Sequence, residues 1–516
     1  MKKFIQLLVV AIVATTGNTY AQYAGDALRF SRTDYGSSAR FKGLGNAQIS
    51  LGGDISSIGG NPAGLGMFTR SEFSITPEFN SVQSDASFLG QNTKTTKNRL
   101  NLNQAAVVWY NPVVKPKGSD LNKGVIGVVW GIGYNRNNDF GGEFNYQGTN
   151  QNSSFADDLA QRANGYTIAD FRDSNLGLIG SAPAAAYESF LINQNPGSNN
   201  TYQPATDLGN VQRNSDYRAG STSEANFSGA INISNQLYLG GSIGFVNVRY
   251  VNDRIYQESG VIVNTDPNNI PTEPNDQLGR NYDLTYRSNQ TTNGSGINAR
   301  LGLIYKPVNE LRLGATFQSP TWMHVEESFD EKLDVNFSQA GSIVERFNND
   351  VNYSNFNYNL RTPYKASVGA SVILGQNALL TADADYVDYA SMKLSVSDGY
   401  RDAIDNSNSA IKGNYRAALN YRVGGEYKID NFSLRAGYGL NGSPYKGDSN
   451  ESDSAIKYYT GGIGYRVSAY YVDLAYQRTQ TTNIFNPYEL DDVSQQPTAI
   501  TKVNRNNVFL TVGVRF

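Results

Sequence analysis

The sequence predicts an all-β fold: a membrane-spanning antiparallel β-barrel of about 14 strands with an N-terminal hatch inside its lumen. Three observations carry this expectation: period-two alternation over unusually long stretches, a short/long beat of connections, and a small-residue segment ahead of the first strand. Composition narrows the field first. The 516 residues carry a net charge of −3, one His and no Cys, which argues against a basic nucleic-acid-binding surface, a disulfide scaffold and a Cys/His metal site. Only 39% of side chains are hydrophobic, yet 34 Tyr and 23 Phe argue against simple disorder, since chains that bury no surface are poor in rings. No phosphate loop is evident, so no nucleotide-driven step is expected; nor is a cofactor or metal expected.

Residues 1–21 read as a signal peptide: Lys2 and Lys3, an apolar stretch from Phe4 to Ala14, then Thr19-Tyr20-Ala21 before Gln22. No later segment approaches the roughly 18 to 20 apolar residues of a membrane helix, so the exported product is soluble or a membrane barrel. Residues 22–70 lack a long period-two run and form the expected hatch or plug. They hold apolar Phe30, Phe41, Leu44, Ile49, Leu51, Ile55, Ile58, Leu65 and Met67, too many for a mere tail. At Gly59-Gly60-Asn61-Pro62-Ala63-Gly64, the Asn–Pro pair suits a rigid turn, with glycines permitting close approach to a wall. Gly60, Asn61, Pro62 and Ala63 are the candidate gating residues; the alternative is that they only turn the chain into the first strand.

Residues 71–516 carry the barrel pattern. From Tyr415 to Ile429, one face holds Leu419, Tyr421, Val423 and Tyr427, and the other Arg416, Asn420, Arg422, Glu426 and Lys428. Similar registers recur at 364–374, 311–318 and 432–439. Strands of a soluble sandwich average 5 to 6 residues, whereas tilted membrane strands need about 9 to 11. Charge facing lipid near the midplane costs about 2 to 4 kcal/mol, so Arg312, Arg416, Arg422, Glu426, Arg435, Arg466 and Asp473 are expected to face the lumen. Fourteen strands are expected near residues 75, 105, 130, 228, 245, 295, 314, 367, 384, 421, 436, 461, 473 and 510. Connections after even strands are mostly terse, the exception being the longer stretch Asn111 to Lys123 after the second. Those after odd strands are long and polar, at about 84–98, 148–220, 257–281, 320–350, 398–412, 441–455 and 480–502, which places both termini in the periplasm. Val508 to Phe516 alternates to an aromatic end, and Phe516 reads as the signal for the barrel-assembly machinery.

The long outer loop at about 148–220 holds a helix start at Ser154-Phe155-Ala156-Asp157, running to Ala163 with Gly165 behind it, and a second helix at Ala184–Ile192. Phe155, Leu159, Tyr187, Phe190 and Leu191 either form an apolar lid where ligand enters or pack the loop onto itself. Other motifs carry less. Gly437-Tyr438-Gly439-Leu440-Asn441-Gly442 matches a dinucleotide fingerprint by letter but has no following helix. His324 reads as a rim residue, Asp448, Asn450, Glu451 and Asp453 as loop charge, and Asp383 and Asp385 as partners for Lys or Arg across the barrel.

Asp54 followed by Asn61-Pro62-Ala63-Gly64-Leu65 resembles the hatch signature of the FadL/TodX family of outer-membrane transporters of long-chain fatty acids and aromatic hydrocarbons. Leu311–Pro320, Leu434–Tyr438, Thr460–Arg466 and Val472–Tyr476 are similar to that family too, in order along the mature chain. The resemblance implies fourteen strands, a hatch that includes Asn61, Pro62 and Ala63, and passive uptake of a hydrophobic ligand. In the family, that ligand leaves sideways through a gap at a kink in the third strand. Here that strand would include Lys123 to Gln147, with Gly131, Gly133, Gly141 and Gly142 as candidate kink positions. The implied setting is a monomer, in outer-membrane lipid of a Gram-negative bacterium, with no enzyme activity. The alternative is a non-transporting barrel that acts as a partner in protein secretion or surface attachment.

Overall fold

The computed structural model describes residues 23–173, 178–263, 276–397, 401–447 and 455–516. The proposed signal peptide therefore lies outside the described residues, as do Asp448, Asn450, Glu451 and Asp453. Among the described residues fourteen antiparallel strands close on themselves. The first six are β1 (Glu72–Phe88), β2 (Gln91–Pro112), β3 (Val125–Asp139, resumed at Gly142–Asn150), β4 (Asn210–Ile233), β5 (Leu237–Val261) and β6 (Asn281–Tyr305). Then come β7 (Leu311–Gln318 and Trp322–Gln339), β8 (Ser342–Arg361 and Lys365–Leu374), β9 (Ala378–Asp388 and Lys393–Ser395) and β10 (Ala417–Ile429). The last are β11 (Phe432–Asn441), β12 (Ile456–Val467), β13 (Tyr470–Phe485) and β14 (Ala499–Arg515). Pairing from Glu72 opposite Arg515 to Ser87 opposite Ile500 joins β14 to β1 and removes both sheet edges.

Period two sets the wall. On β10, Tyr421, Val423 and Tyr427 are exposed while Asn420, Arg422 and Glu426 are buried. Exposed Tyr427, Tyr465 and Tyr470 ring the periplasmic end, and Tyr421, Tyr459 and Tyr476 ring the outer end. Each pair is six residues apart on its strand, so the belts stand roughly 20 Å apart along it at about 3.3 Å per residue.

All fourteen expected strand centres fall within these strands. Two expected outer loops do not exist as loops. Residues 84–98 are the ends of β1 and β2 joined at Leu89-Gly90, and 320–350 is a hairpin of β7 and β8 joined at Ala340-Gly341. Above the membrane both sheet faces meet polar surroundings, so the ladder persists without apolar alternation. The 148–220 insertion is narrower, running between Asn150 and Asn210.

The lumen is filled from the amino-terminal side by a helix over 23–31 (α1), α2 (Ala39–Gly43), and 3-10 turns at Ile55–Ile58 and Pro62–Met67. On the outer side lie α3 (Phe155–Ala163), α4 (Ile168–Phe171), α5 (Ala182–Glu188) and α6 (Arg401–Asn414). The first has the expected Ser154/Asp157 capping box. The helix expected over 184–192 ends early, at Glu188, and Ile192–Gln194 pairs instead with Tyr202–Pro204.

Candidate functional site

The hatch is seated by backbone atoms and a few buried polar side chains. Asp54 caps the first 3-10 turn, accepting from the Ser56 N–H at 3.0 Å and the Ser56 hydroxyl at 2.7 Å, and also accepts from the Ser38 hydroxyl. Asn61 caps the second turn through the Ala63 N–H at 3.1 Å. Its Nδ2 donates to the Ile49 carbonyl at 2.7 Å and to the wall carbonyls of Leu303 and Ala315 at 3.2 and 3.4 Å. Asn61, Pro62 and Ala63 lie against the inner wall at Gly240 of β5 and Gly302 of β6, where any Cβ would strike the hatch backbone or the Asn61 amide. Gly314, Gly424 and Gly437 receive the backbone at Ile49, Leu44 and Gly45 in the same way. Gly60 packs beside the Gln48 amide.

Lumen charges converge on this plug. Arg422 is paired with Asp385 at 2.6 Å, both fully buried, and its guanidinium lies 5.0 Å from the Tyr35 ring centre. Arg435 pairs with Glu426 at 2.7 Å and Asp473 at 2.6 Å, and Arg40 of α2 reaches Glu426 at 3.2 Å. Arg312 donates to the Leu51 carbonyl at 2.6 Å. Arg466 lines the periplasmic mouth, over the Tyr471 ring. Arg416 departs from expectation. It precedes β10, is exposed, and turns to the Ser443 carbonyl at 3.4 Å, because the alternation at 415–416 belongs to an isolated bridge rather than to the strand. Asp385 finds an arginine, but Asp383 accepts the hatch N–H groups of Gln48 and Ile49 at 2.6 and 2.9 Å instead. His324 stands exposed beside Asn359, and Gly437 is a hatch seat, with no helix following it among the described residues.

The third strand breaks at Phe140 and Gly141. Below the break, β2 pairs with it only from Gln104 opposite Asn135 to Pro112 opposite Gly127, so Gln91 to Asn103 of β2 have no ladder partner on β3. Beyond the break the strand tucks inside the wall. Phe144 joins Val82 and Val503 in a buried cluster, the Ser84 hydroxyl donates to the Glu143 carbonyl at 2.9 Å, and the Phe88 and Tyr146 rings lie 4.7 Å apart. Of the four candidate kink glycines, Gly141 and Gly142 lie at this break. Gly131 and Gly133 do not: they sit in unbroken strand, their inner faces covered by Ile58 of the hatch. A cavity of about 550 Å³ lies between the break and the hatch, lined by Arg136, Asp139, Arg505, Leu28, Phe485 and Phe509 among others.

Outside this cavity, Phe155, Leu159 and Leu191 are the buried core of a cap, with Tyr187 and Phe190 packed on its edge. This core includes Tyr256, Tyr282, Leu333, Phe337 and Tyr488 of the upper wall and last loop. The residues expected either as a lid or as self-packing thus pack the insertion onto the barrel. Burial pushes the Asp158 carboxyl of α3 up to about 6, and Arg162, 3.4 Å away, offsets this only in part. Phe516 ends beside Ser71, its N–H donating to that carbonyl at 3.0 Å, with the ring exposed. Sequence reasoning missed the wall glycines as hatch seats and Asp139, and gave Asp383 the wrong partner; inward-parity glycines facing a small-residue segment were the available sign of the first.

A closed, lipid-belted barrel of fourteen strands with a plug in its lumen defines an outer-membrane channel. A family model described as outer membrane protein transport protein (OMPP1/FadL/TodX) matches residues 40–516, and the chain belongs to this family. Its place is the outer membrane of a Gram-negative bacterium. No curated protein matches by sequence. Among solved structures, a Pseudomonas aeruginosa FadL homologue is similar at 12% identity, with 94% of this chain and 99% of that chain covered and a TM-score of 0.52. A TodX monoaromatic hydrocarbon channel deltaS2 mutant is 12% identical over 93% of this chain and 99% of that chain, with a TM-score of 0.52. The Ralstonia pickettii toluene transporter TbuX is 15% identical over 93% and 99%, with a TM-score of 0.48.

Proposed function

We propose that the chain takes up hydrophobic small molecules, long-chain fatty acids or aromatic hydrocarbons, by passive diffusion through the plugged lumen and releases them sideways into the membrane between β2 and β3. The single observation that supports this route is the unladdered length of β2 beside the break at Phe140 and Gly141. A lipid-facing barrel wall elsewhere keeps its backbone groups paired, so an unpaired stretch marks the place where a solute can pass. Exposed Leu100 and Leu102 border it on β2. Each methylene that leaves water gains about 0.8 kcal/mol, which drives an apolar tail from the mouth toward lipid without an energy source. In this reading Asn61, Pro62 and Ala63 hold the hatch shut from below, the cap around Phe155 covers the outer mouth, and Phe516 serves assembly. The TodX channel that shares the fold is named for monoaromatic hydrocarbons, which keeps them beside fatty acids as candidates.

Uptake of labelled oleate and toluene is the test, in a deletion strain with and without the gene restored. Restoration should raise uptake of at least one of them while export of surface proteins stays unchanged. Normal uptake with defective export in the deletion strain would overturn the proposal in favour of a secretion role.

A further inference from the structure

We propose that Asp139 and the arginines around it form a latch across the β2–β3 opening that a ligand with an anionic head group undoes, so that the channel passes anionic amphiphiles in preference to uncharged hydrocarbons. This rests on the lateral route above, and adds the ligand chemistry and the residues that read it.

Where backbone pairing between β2 and β3 ends, side chains take its place. Asp139, the last residue before the break, accepts from Arg136 at 2.7 Å, from the Gly141 N–H at 2.6 Å, and across the opening from Asn101 of β2 at 3.1 Å. Arg505 of β14 stands 3.8 Å from the same carboxylate. A second strap comes from Arg99 of β2, which lies against Gly141 and donates to the Arg218 carbonyl at 2.6 Å. Both straps tie the free length of β2 to the chain on the far side of the gap.

The charges are unbalanced. Arg505 faces Asp139 and Glu78, together with the guanidinium groups of Arg99 and Arg136. Glu78 also accepts from Asn507 at 2.6 Å. Three cations thus share two carboxylates in a place where Asp139 and Arg136 side chains are each only 13% exposed. The adjoining cavity carries Arg29, Arg32, Lys42 and Arg218 on its wall, of which Arg29 pairs with Asp26, Lys42 with Asp34 and Arg218 with Asp216. It also offers Leu28, Ile484, Phe485 and Phe509 to an apolar tail.

A carboxylate that arrives at Arg136 and Arg505 replaces Asp139 with equivalent charge-assisted hydrogen bonds. Asp139 then releases Asn101, and the strap opens. An uncharged tail of the same length makes no such exchange: displacing Asp139 would leave partly buried guanidinium groups without a counter-ion.

Oleate and methyl oleate share a tail and differ in charge, so their uptake rates in cells carrying the full-length chain test the latch. Loss of charge-assisted hydrogen bonds predicts that oleate enters at least about tenfold faster than its ester. Replacing both anion-reading groups, Arg136→Gln with Arg505→Gln, removes the counter-charges that hold Asp139 in place, so ester uptake should rise toward that of oleate and most of the ratio should vanish. Equal rates for acid and ester in the unaltered chain, or an unchanged ratio in an assembled double variant, overturn the latch. Should the double variant fail to assemble, Asn101→Ala decides: ester uptake should rise severalfold, and no rise overturns the proposal. The chain has no native Cys, so Asn101→Cys with Asp139→Cys can be bridged by a short thiol-reactive linker. Bridging should stop oleate uptake; continued uptake rejects the lateral route itself, whereas a block in the bridged chain together with equal acid and ester rates in the unaltered chain rejects only the latch.

Discussion

Replacing Asn61 by Ala removes one hydrogen-bond acceptor and one donor group that together hold the hatch. The lost cap on the Ala63 N–H is worth about 1 kcal/mol. The buried Ile49 carbonyl, which receives the Asn61 amide at 2.7 Å, loses that donor at a cost of about 1 to 3 kcal/mol. The longer bonds to Leu303 and Ala315 add little, since those carbonyls sit in the β6–β7 ladder. A loss of about 3 kcal/mol raises the ratio of unseated to seated hatch roughly 100-fold. Hydrogen exchange of the amides from Leu44 to Leu65 reads this directly, in detergent-solubilised protein whose barrel is intact by heat-modifiable gel migration. Exchange should accelerate by about that factor, with uptake reduced. Asn61→Asp keeps the acceptor for Ala63 but turns an anion toward three carbonyl oxygens, so its hatch should be looser than that of Asn61→Ala. Unchanged exchange in Asn61→Ala, or a tighter hatch in Asn61→Asp, would refute this account of the seat.

Three further outcomes follow from the same geometry. A side chain at Gly302 meets the Asn61 amide, so Gly302→Val should unseat the hatch in an assembled barrel, read as frequent openings in planar bilayers; a quiet channel would contradict the close approach. Removing one partner of the buried Arg422–Asp385 pair should cost about 3 to 5 kcal/mol in thermal or denaturant unfolding, while Arg422→Met with Asp385→Leu should recover much of the loss. Because the folded state raises the Asp158 carboxyl to about 6, the folded cap binds that proton more tightly than the unfolded segment does. The cap is therefore most stable below about pH 4 and loses up to about 3 kcal/mol as pH rises through 6, which exchange rates of the α3 amides, corrected for intrinsic pH dependence, should show.

The wall was legible because lipid imposes an apolar side chain at every second residue. Tyr421, Val423 and Tyr427 against Arg422 and Glu426 admit one orientation. The same rule fails above the membrane, where Gln91-Asn92-Thr93-Lys94-Thr95 continues as strand with polar groups on both faces. Hydropathy cannot separate such a strand from a loop, which is why 84–98 and 320–350 read as loops. The hatch was visible as a segment of small and apolar residues, but its seat was not. Gly240, Gly302 and Gly437 matter through what approaches them from a part of the chain far away in sequence, and Asp383 turns from a salt-bridge candidate into an acceptor for backbone amides. The break in the third strand was anticipated at glycines, yet Gly131 and Gly133 serve packing against Ile58. Only a ladder that stops at Asn135 separates the two roles. Arg416 misled because alternation runs on past the end of its strand.

The route itself is tested most directly by mapping where a ligand touches the protein on its way out. A long-chain fatty acid carrying a photoreactive group near its tail, supplied to intact cells and irradiated during uptake, should leave adducts on Arg99, Leu100, Phe140 and Gly141 beside the break, and on Phe485 and Phe509 in the cavity. Adducts confined to the periplasmic mouth, at Arg70, Arg466 and Ser468, would mean that ligand passes straight through the barrel and would contradict release between β2 and β3.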